Sequence, residues 1–358
     1  MVATKKVGIL GATGTVGQRF ILLLANHPVF TIHALGASSR SAGKSYQDAT
    51  KWKQNQPIPE NVQNMVVQEC KSTHFKECDV VFSGLDADVA GDIEMEFLKA
   101  NLVVFSNAKN YRREPTVPLI VPTANASHFD LIPHQRKVFG QDKGFIITNA
   151  NCSTTGLVVP LKALQDAFGP FSHIIVHTQQ AISGSGYPGV PSLDILDNIV
   201  PYISGEEEKM EWETGKILGS VNSEATGFDH LENTVVSATC TRVPVIDGHL
   251  ESVSLKFAQQ PAPSIDDIKR VLENYTCEAQ QLKCHSAPEK AILVNASPDR
   301  PQPRLDRDLQ KGQAVTVGRI RECPVFDIKF TLLIHNTVLG AAGSSVLNAE
   351  IAVAKGLI

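Results

Sequence analysis

The chain has 358 residues, 42% apolar and 20% charged, with a formal net charge of −4, so two globular domains are expected, and scattered basic residues exclude bulk attraction to nucleic acid or an anionic membrane. No run of about eighteen apolar residues occurs, and Met1–Lys6 lacks a leader pattern. The seven cysteines, at 70, 78, 152, 240, 277, 284 and 323, form no C-x-x-C pair, which excludes a zinc ribbon and a disulfide framework; no metal site is expected, and the expected compartment is the reducing cytoplasm.

Lys5–Leu10 reads as a strand. It ends in GATGTVG, with glycines at 11, 14 and 17, followed by helix-spaced Phe20, Leu23 and Leu24 within Gln18–Asn26. Strand, glycine turn and helix offer backbone N–H groups to a pyrophosphate, which makes Gly11, Thr13, Gly14, Thr15 and Val16 candidate dinucleotide contacts. The next strand, Thr31–Ala37, runs into Ser38-Ser39-Arg40, with no acid where an NAD site carries one for the ribose. Hydroxyls and a guanidinium suit a 2′-phosphate instead, so NADP is favoured. Strands at Asp79–Phe82 and Leu102–Phe105 flank a helix over Val89–Ala100, the pattern of a doubly wound parallel sheet. Leu85 and the Arg112-Arg113 pair then fall in loops on the ligand side, the arginines as anion clamps or as solvated charges. Pro115–Pro122 reads as an extended crossover.

Ile146–Thr148 predicts a strand, after which Asn149-Ala150-Asn151 leads to Cys152 and an apolar helix. A lone cysteine is more often a small buried hydrophobe, but cap residues around Cys152 place it at a helix N-terminus, where a thiolate is stabilised. Beyond a strand at Ile174–Thr178 comes a glycine-rich loop, Gln179–Gly189, whose candidates are Gln180, Ser183 and Gly184. Glu206–Ile217 reads as a helix carrying two Glu–Lys pairs, Glu206 with Lys209 and Glu213 with Lys216, either a solvated face or a site for an amine and an anion. In TCTRVPVIDGHLE, Val243-Pro244-Val245 reads as strand and Asp247-Gly248 as a turn that brings Arg242 and His249 together, with His249 suited to acid/base work. Strands at Glu251–Phe257 and Asp327–Leu333 and a helix over Ser264–Asn274 complete an α+β domain. The charged, Pro-broken Asp299–Asp308 reads as an exposed loop or subunit contact, and Asn336 introduces a small-residue helix packing back toward the cofactor.

GATGTVGQRF, NANCST, QAISGSGYPG, RVPVIDGH and HNTVLGAAG, in this order over nearly the whole chain, resemble the aspartate-semialdehyde dehydrogenases of archaea and fungi, as do SNAKNYR, GEEEKM and RPQPRLDR. The resemblance implies a Rossmann-like α/β NADP-binding domain over 1–150, joined by a C-terminal helix at 337–358, and an α+β catalytic and dimerisation domain over 151–336. It implies NADPH-dependent conversion of L-aspartyl-4-phosphate to L-aspartate-4-semialdehyde and phosphate, for threonine, methionine, isoleucine and, in many organisms, lysine, by a homodimer or homotetramer. Cys152 would be the nucleophile, His249 the acid/base and Gln180 a substrate-orienting group. Arg242 would pair with the α-carboxylate, Arg112 with phosphate, and Glu206 and Lys209 with amine and phosphate, the spacing fitting Glu213 and Lys216 equally well. A sister reductase of glutamyl or glyceraldehyde acyl phosphates, and a non-catalytic NADP sensor, are the alternatives.

Overall fold

A computed structural model describes residues 4–358, so Met1–Ala3, part of the segment read as leaderless, lie outside the described residues. The first sheet is wholly parallel and is built from β1 (Lys5–Leu10), β2 (Phe30–Ala37), β3 (Val67–Glu69), β4 (Val80–Ser83), β5 (Val103–Ser106) and β6 (Phe145–Thr148), in the order β3-β2-β1-β4-β5-β6. Its strands are apolar on both sides because both faces are covered. Val7, Ile9, Phe82 and Phe105 pack under α1 (Thr15–Leu24). Leu10, Val81 and Val104 pack under α2 (Ala87–Lys99) on the other face. The order in which strands are added reverses between β1 and β4, sending their following connections to opposite faces and opening a crevice at their carboxyl ends. Helix α1 starts at Thr15, three residues before the helical spacing suggested, because Gly14 is its N-cap.

The crossover after β5 pairs with β6, Ile120 N–H donating to the Thr148 carbonyl at 2.9 Å, and α3 (Ile132–Phe139) leads back into that strand. From β6 the chain enters α4 (Cys152–Phe168) and the second sheet. That sheet is mixed, built from β7 (Phe171–Gln180), β10 (Val235–Arg242), β11 (His249–Phe257), β12 (Ile292–Asn295), β13 (Val315–Glu322) and β14 (Ile328–Ile334), in the order β10-β7-β11-β14-β13-β12. Strands β8 (Ser220–Val221) and β9 (Phe228–Asp229) form a separate small hairpin. One face of the mixed sheet is buried under α4, α5 (Glu206–Ile217) and α6 (Ile265–Glu273). On the other face Ile175 and Val235 are exposed.

The expected strand at Val243–Val245 is absent. Pairing of β10 ends at Arg242, and RVPV leaves the sheet as a loop because Pro244 has no N–H to give. The C-terminal helix α7 (Gly343–Ala354) returns to the first domain, where buried Glu350 meets His27 at 2.7 Å. Cys277, Ala279 and Ala291 also pack into the first domain's core, so the two halves interleave.

Candidate active site

The crevice is a single cleft of about 1410 Å³ between the two sheets. Every residue expected at the cofactor lines it, from Gly11 and Thr13–Val16 through Ser38–Arg40 and Leu85 to Ser183, Gly184 and Asn336. Gly11 has φ +71°, and a Cβ on Gly17 would lie 2.2 Å from the Gly11 carbonyl oxygen, so turn and helix are packed backbone to backbone. No acidic residue occupies the first turn of α1, leaving its free amides open to an anion. Glu69, at the end of β3, also lines the cleft, but it pairs with Lys71, which holds its carboxyl below the usual range.

Cys152 is the first residue of α4. The N-cap is Asn151, whose Oδ1 accepts from the N–H groups of Ser153 (2.9 Å) and Thr154 (3.1 Å). The same side chain donates to Glu206 Oε1 at 2.6 Å, so one asparagine ties the helix that begins at Cys152 to the carboxylate expected to bind an amine. Asn151 was legible only as a cap; nothing in the sequence showed its link to Glu206.

Cys152 Sγ lies 3.1 Å from His249 Nε2. Behind the ring, the Ala181 N–H donates to His249 Nδ1 at 3.0 Å. A backbone donor cannot be reversed, so the neutral imidazole carries its proton on Nε2, facing the sulfur. Burial, with Arg242 and His335 nearby, holds His249 well below the usual histidine range. The thiol differs from expectation: burial and the Glu206 carboxylate push it up to about 12, against opposing pulls from Arg242 and Arg112. The helix N-terminus is in place, its Ser153 N–H also favouring the thiolate, and burial is the largest of the effects that raise the thiol.

Arg242 lines the cleft and donates to the Ala181 carbonyl at 2.6 Å, bracing the residue whose N–H orients His249. Gln180 is buried outside the cleft wall, its Nε2 donating to Thr178 Oγ1 at 3.2 Å. The two Glu–Lys pairs are sharply distinguished. Glu206 and Lys209 line the cleft, 3.1 Å apart. Glu213 is buried, bonded to Arg112 at 2.7 Å and to the Asn151 N–H at 2.6 Å. Lys216, also buried, donates to the carbonyls of Arg112, Glu114 and Val117. The second pair therefore supports the loop carrying Arg112, which itself reaches the cleft.

A doubly wound dinucleotide fold whose cleft ends at a thiol–imidazole pair defines a dinucleotide-dependent oxidoreductase with a cysteine at its centre. Family models described as the NAD binding domain and the dimerisation domain of semialdehyde dehydrogenase match residues 6–132 and 161–339. The chain belongs to the aspartate-semialdehyde dehydrogenase family. It is 64% identical to the aspartate-semialdehyde dehydrogenases of Cryptococcus neoformans and Schizosaccharomyces pombe, over 99% of this chain and 98% and 100% of theirs. The crystal structure of the Candida albicans aspartate semialdehyde dehydrogenase with NADP superposes with a TM-score of 0.93 at 59% identity, covering 99% of this chain and 100% of that one.

Proposed function

We propose that this protein catalyses the reversible, NADP-dependent conversion of L-aspartyl-4-phosphate to L-aspartate-4-semialdehyde and phosphate through an acyl-thioester on Cys152, in aspartate-family amino-acid biosynthesis. The observation that carries this reading is the Cys152–His249 contact of 3.1 Å, with Cys152 lining the cleft that begins at the glycine turn and the fully buried His249 standing behind it. Gly11–Val16 would hold the pyrophosphate of NADP and Ser38–Arg40 its 2′-phosphate, Leu85, Ser183, Gly184 and Asn336 lining the rest of its path. Bound there, the cofactor supplies or accepts the hydride.

The protein's own groups do the remainder. Sγ attacks the acyl carbon, the bond from that carbon to the phosphate oxygen breaks, and phosphate departs with the electron pair and takes up the proton the thiol gives up, held by Lys209 and Arg112. Glu206 pairs with the substrate ammonium and Arg242 with its α-carboxylate, fixing the reacting carbon over Sγ. Gln180 orients the substrate from behind this layer. His249, with its proton on Nε2, donates a hydrogen bond to the thiolate during attack and again when the aldehyde is released, and the expelled thiolate then takes its proton from solvent.

The division assigned to these roles is a cofactor domain over 1–150 joined by 337–358, and a catalytic and dimerisation domain over 151–336. The open face of the mixed sheet, with Ile175 and Val235 exposed, suits a second copy in a homodimer or homotetramer. All seven cysteines are free, in keeping with the cytoplasm, and among the described residues no helix is long and apolar enough to cross a membrane. The test is NADPH formation from NADP with L-aspartate-4-semialdehyde, with and without phosphate, beside glyceraldehyde-3-phosphate and N-acetylglutamate semialdehyde. Phosphate-dependent turnover confined to the first aldehyde is expected; its absence, or preference for another aldehyde, refutes the assignment.

A further inference from the structure

The segment Asp299–Asp308 lies outside the cleft wall, but it is not a free loop. Arg300 grips Asp306 through two nitrogens, and the buried Asp306 carboxylate also accepts the Gln302 N–H at 2.6 Å, closing residues 300–306 into a compact turn around the short helix Pro303–Asp306. This turn packs against Gly248, the residue immediately before His249. Gly248 has φ +102°, and a Cβ there would lie 3.2 Å from Pro303 Cβ and 3.4 Å from Arg307 Cβ. Arg307 donates through Nη1 to the Asp247 carbonyl at 3.0 Å. On its other side Gly248 donates its N–H to Asn336 Oδ1 at 2.8 Å. The peptide that launches β11 is thus held between an asparagine of the cleft and an arginine outside it.

We infer that Arg307, locked in place by the Arg300–Asp306 pair, is a positioning residue: it clamps the Asp247–Gly248 turn and so fixes the imidazole of His249 against Cys152. The physical case is geometric. His249 contacts Sγ through one nitrogen and the Ala181 N–H through the other, so its ring position depends on where its own backbone is anchored. That backbone pairs with Ile334 at the start of β11, and the glycine peptide just before it has two polar restraints, Asn336 on the cleft side and Arg307 outside it, so Arg307 fixes the end from which the imidazole projects. A displacement of about 1 Å in such a pair costs roughly a hundredfold in rate.

The inference rests on the proposed roles of Cys152 and His249, and the test separates the two. Arg307→Ala and Arg307→Lys are compared with wild type by steady-state kinetics in the full-length enzyme and by the rate at which iodoacetamide modifies Cys152, followed by peptide mass. Arg307→Ala is expected to lower kcat by about tenfold to a hundredfold with both KM values within about twofold. Lysine, which keeps one donor, is expected to restore much of that loss, and alkylation of Cys152 is expected to slow several-fold in the alanine variant. If the alanine variant does not fold, Asp306→Asn, which loosens the lock and leaves Arg307 in place, is expected to give the same kcat-selective loss. Wild-type kcat and alkylation rate in Arg307→Ala, or in Asp306→Asn, overturn the inference, as does a loss that lysine does not relieve. An inactive wild type refutes the functional reading instead, and the alkylation rates still decide the clamp.

Discussion

Lys209 and Lys216 sit seven residues apart on one helix, and the structure gives them opposite consequences when each is replaced by methionine. Lys216 donates to three buried carbonyls, at 2.9 Å (Arg112), 3.0 Å (Glu114) and 2.8 Å (Val117). Hydrogen bonds to a charged group contribute about 1.5–3 kcal/mol each, but burial opposes the ammonium, lowering its pKa to about 8. Removing the ammonium while its carbonyl partners stay buried is expected to cost about 3–5 kcal/mol of stability. Lys209 keeps 29% of its side chain exposed and makes one bond, to Glu206 at 3.1 Å, so its loss is expected to cost stability less than about 1 kcal/mol. If Lys209 holds phosphate, however, losing one charge-assisted bond raises the KM for phosphate by about tenfold to a hundredfold. Urea unfolding and steady-state kinetics with varied phosphate measure both effects. A Lys209→Met protein that loses several kcal/mol beside a stable Lys216→Met protein refutes this division, as does a phosphate KM that rises only for Lys216→Met.

Cys152→Ser is expected to retain the fold and NADPH binding, followed by nucleotide fluorescence, while turnover falls by at least about a thousandfold. Arg40→Ala is expected to raise the KM for NADP by about tenfold or more and leave that for NAD unchanged, because only the 2′-phosphate distinguishes them; equal effects on both would place Arg40 elsewhere. His128 accepts from Asn125 Nδ2 at 3.1 Å and lies 3.2 Å from the Gly219 carbonyl, and burial pushes its pKa down to about 4. The folded protein therefore binds this proton less readily than the unfolded chain, and stability is lost as pH falls from about 6.5 to about 4, by roughly 3 kcal/mol. His128→Gln should flatten the pH dependence of the denaturation midpoint by that amount; parallel curves for the two proteins would show that His128 is not the group responsible.

What was legible in the sequence was local. β1 occupies the predicted Lys5–Leu10, and α5 the predicted Glu206–Ile217, because apolar spacing and turn chemistry act over a few residues. The placement of Cys152 at a helix N-terminus followed from the same kind of signal. Strands β12 and β13 went unseen, since they are defined by pairing with each other and with β14. The choice between the Glu–Lys pairs was hidden for a geometric reason. Positions seven apart share one stripe of a helix, so periodicity cannot separate them, yet they stand about 10 Å apart along its axis. The first pair opens on the cleft and the second is buried under the Arg112 loop. The orientation of His249 was hidden more deeply, because it depends on the Ala181 N–H, a group every residue but proline possesses.

That backbone bond bears on how the thiol is activated. An imidazolium at position 249 would present N–H groups at both nitrogens, and the one at Nδ1 would meet the Ala181 N–H head on. The resting pair is therefore a thiol beside a neutral imidazole, not a preformed ion pair, in agreement with a sulfur pushed up to about 12. The largest charge effect raising it is Glu206, the group proposed to receive the substrate ammonium. In the proposed binding mode the substrate ammonium takes up Glu206 while its α-carboxylate and phosphate take up Arg242 and Arg112, so the helix N-terminus and the Nε2–H of His249, already aimed at the sulfur, are what stabilise the thiolate.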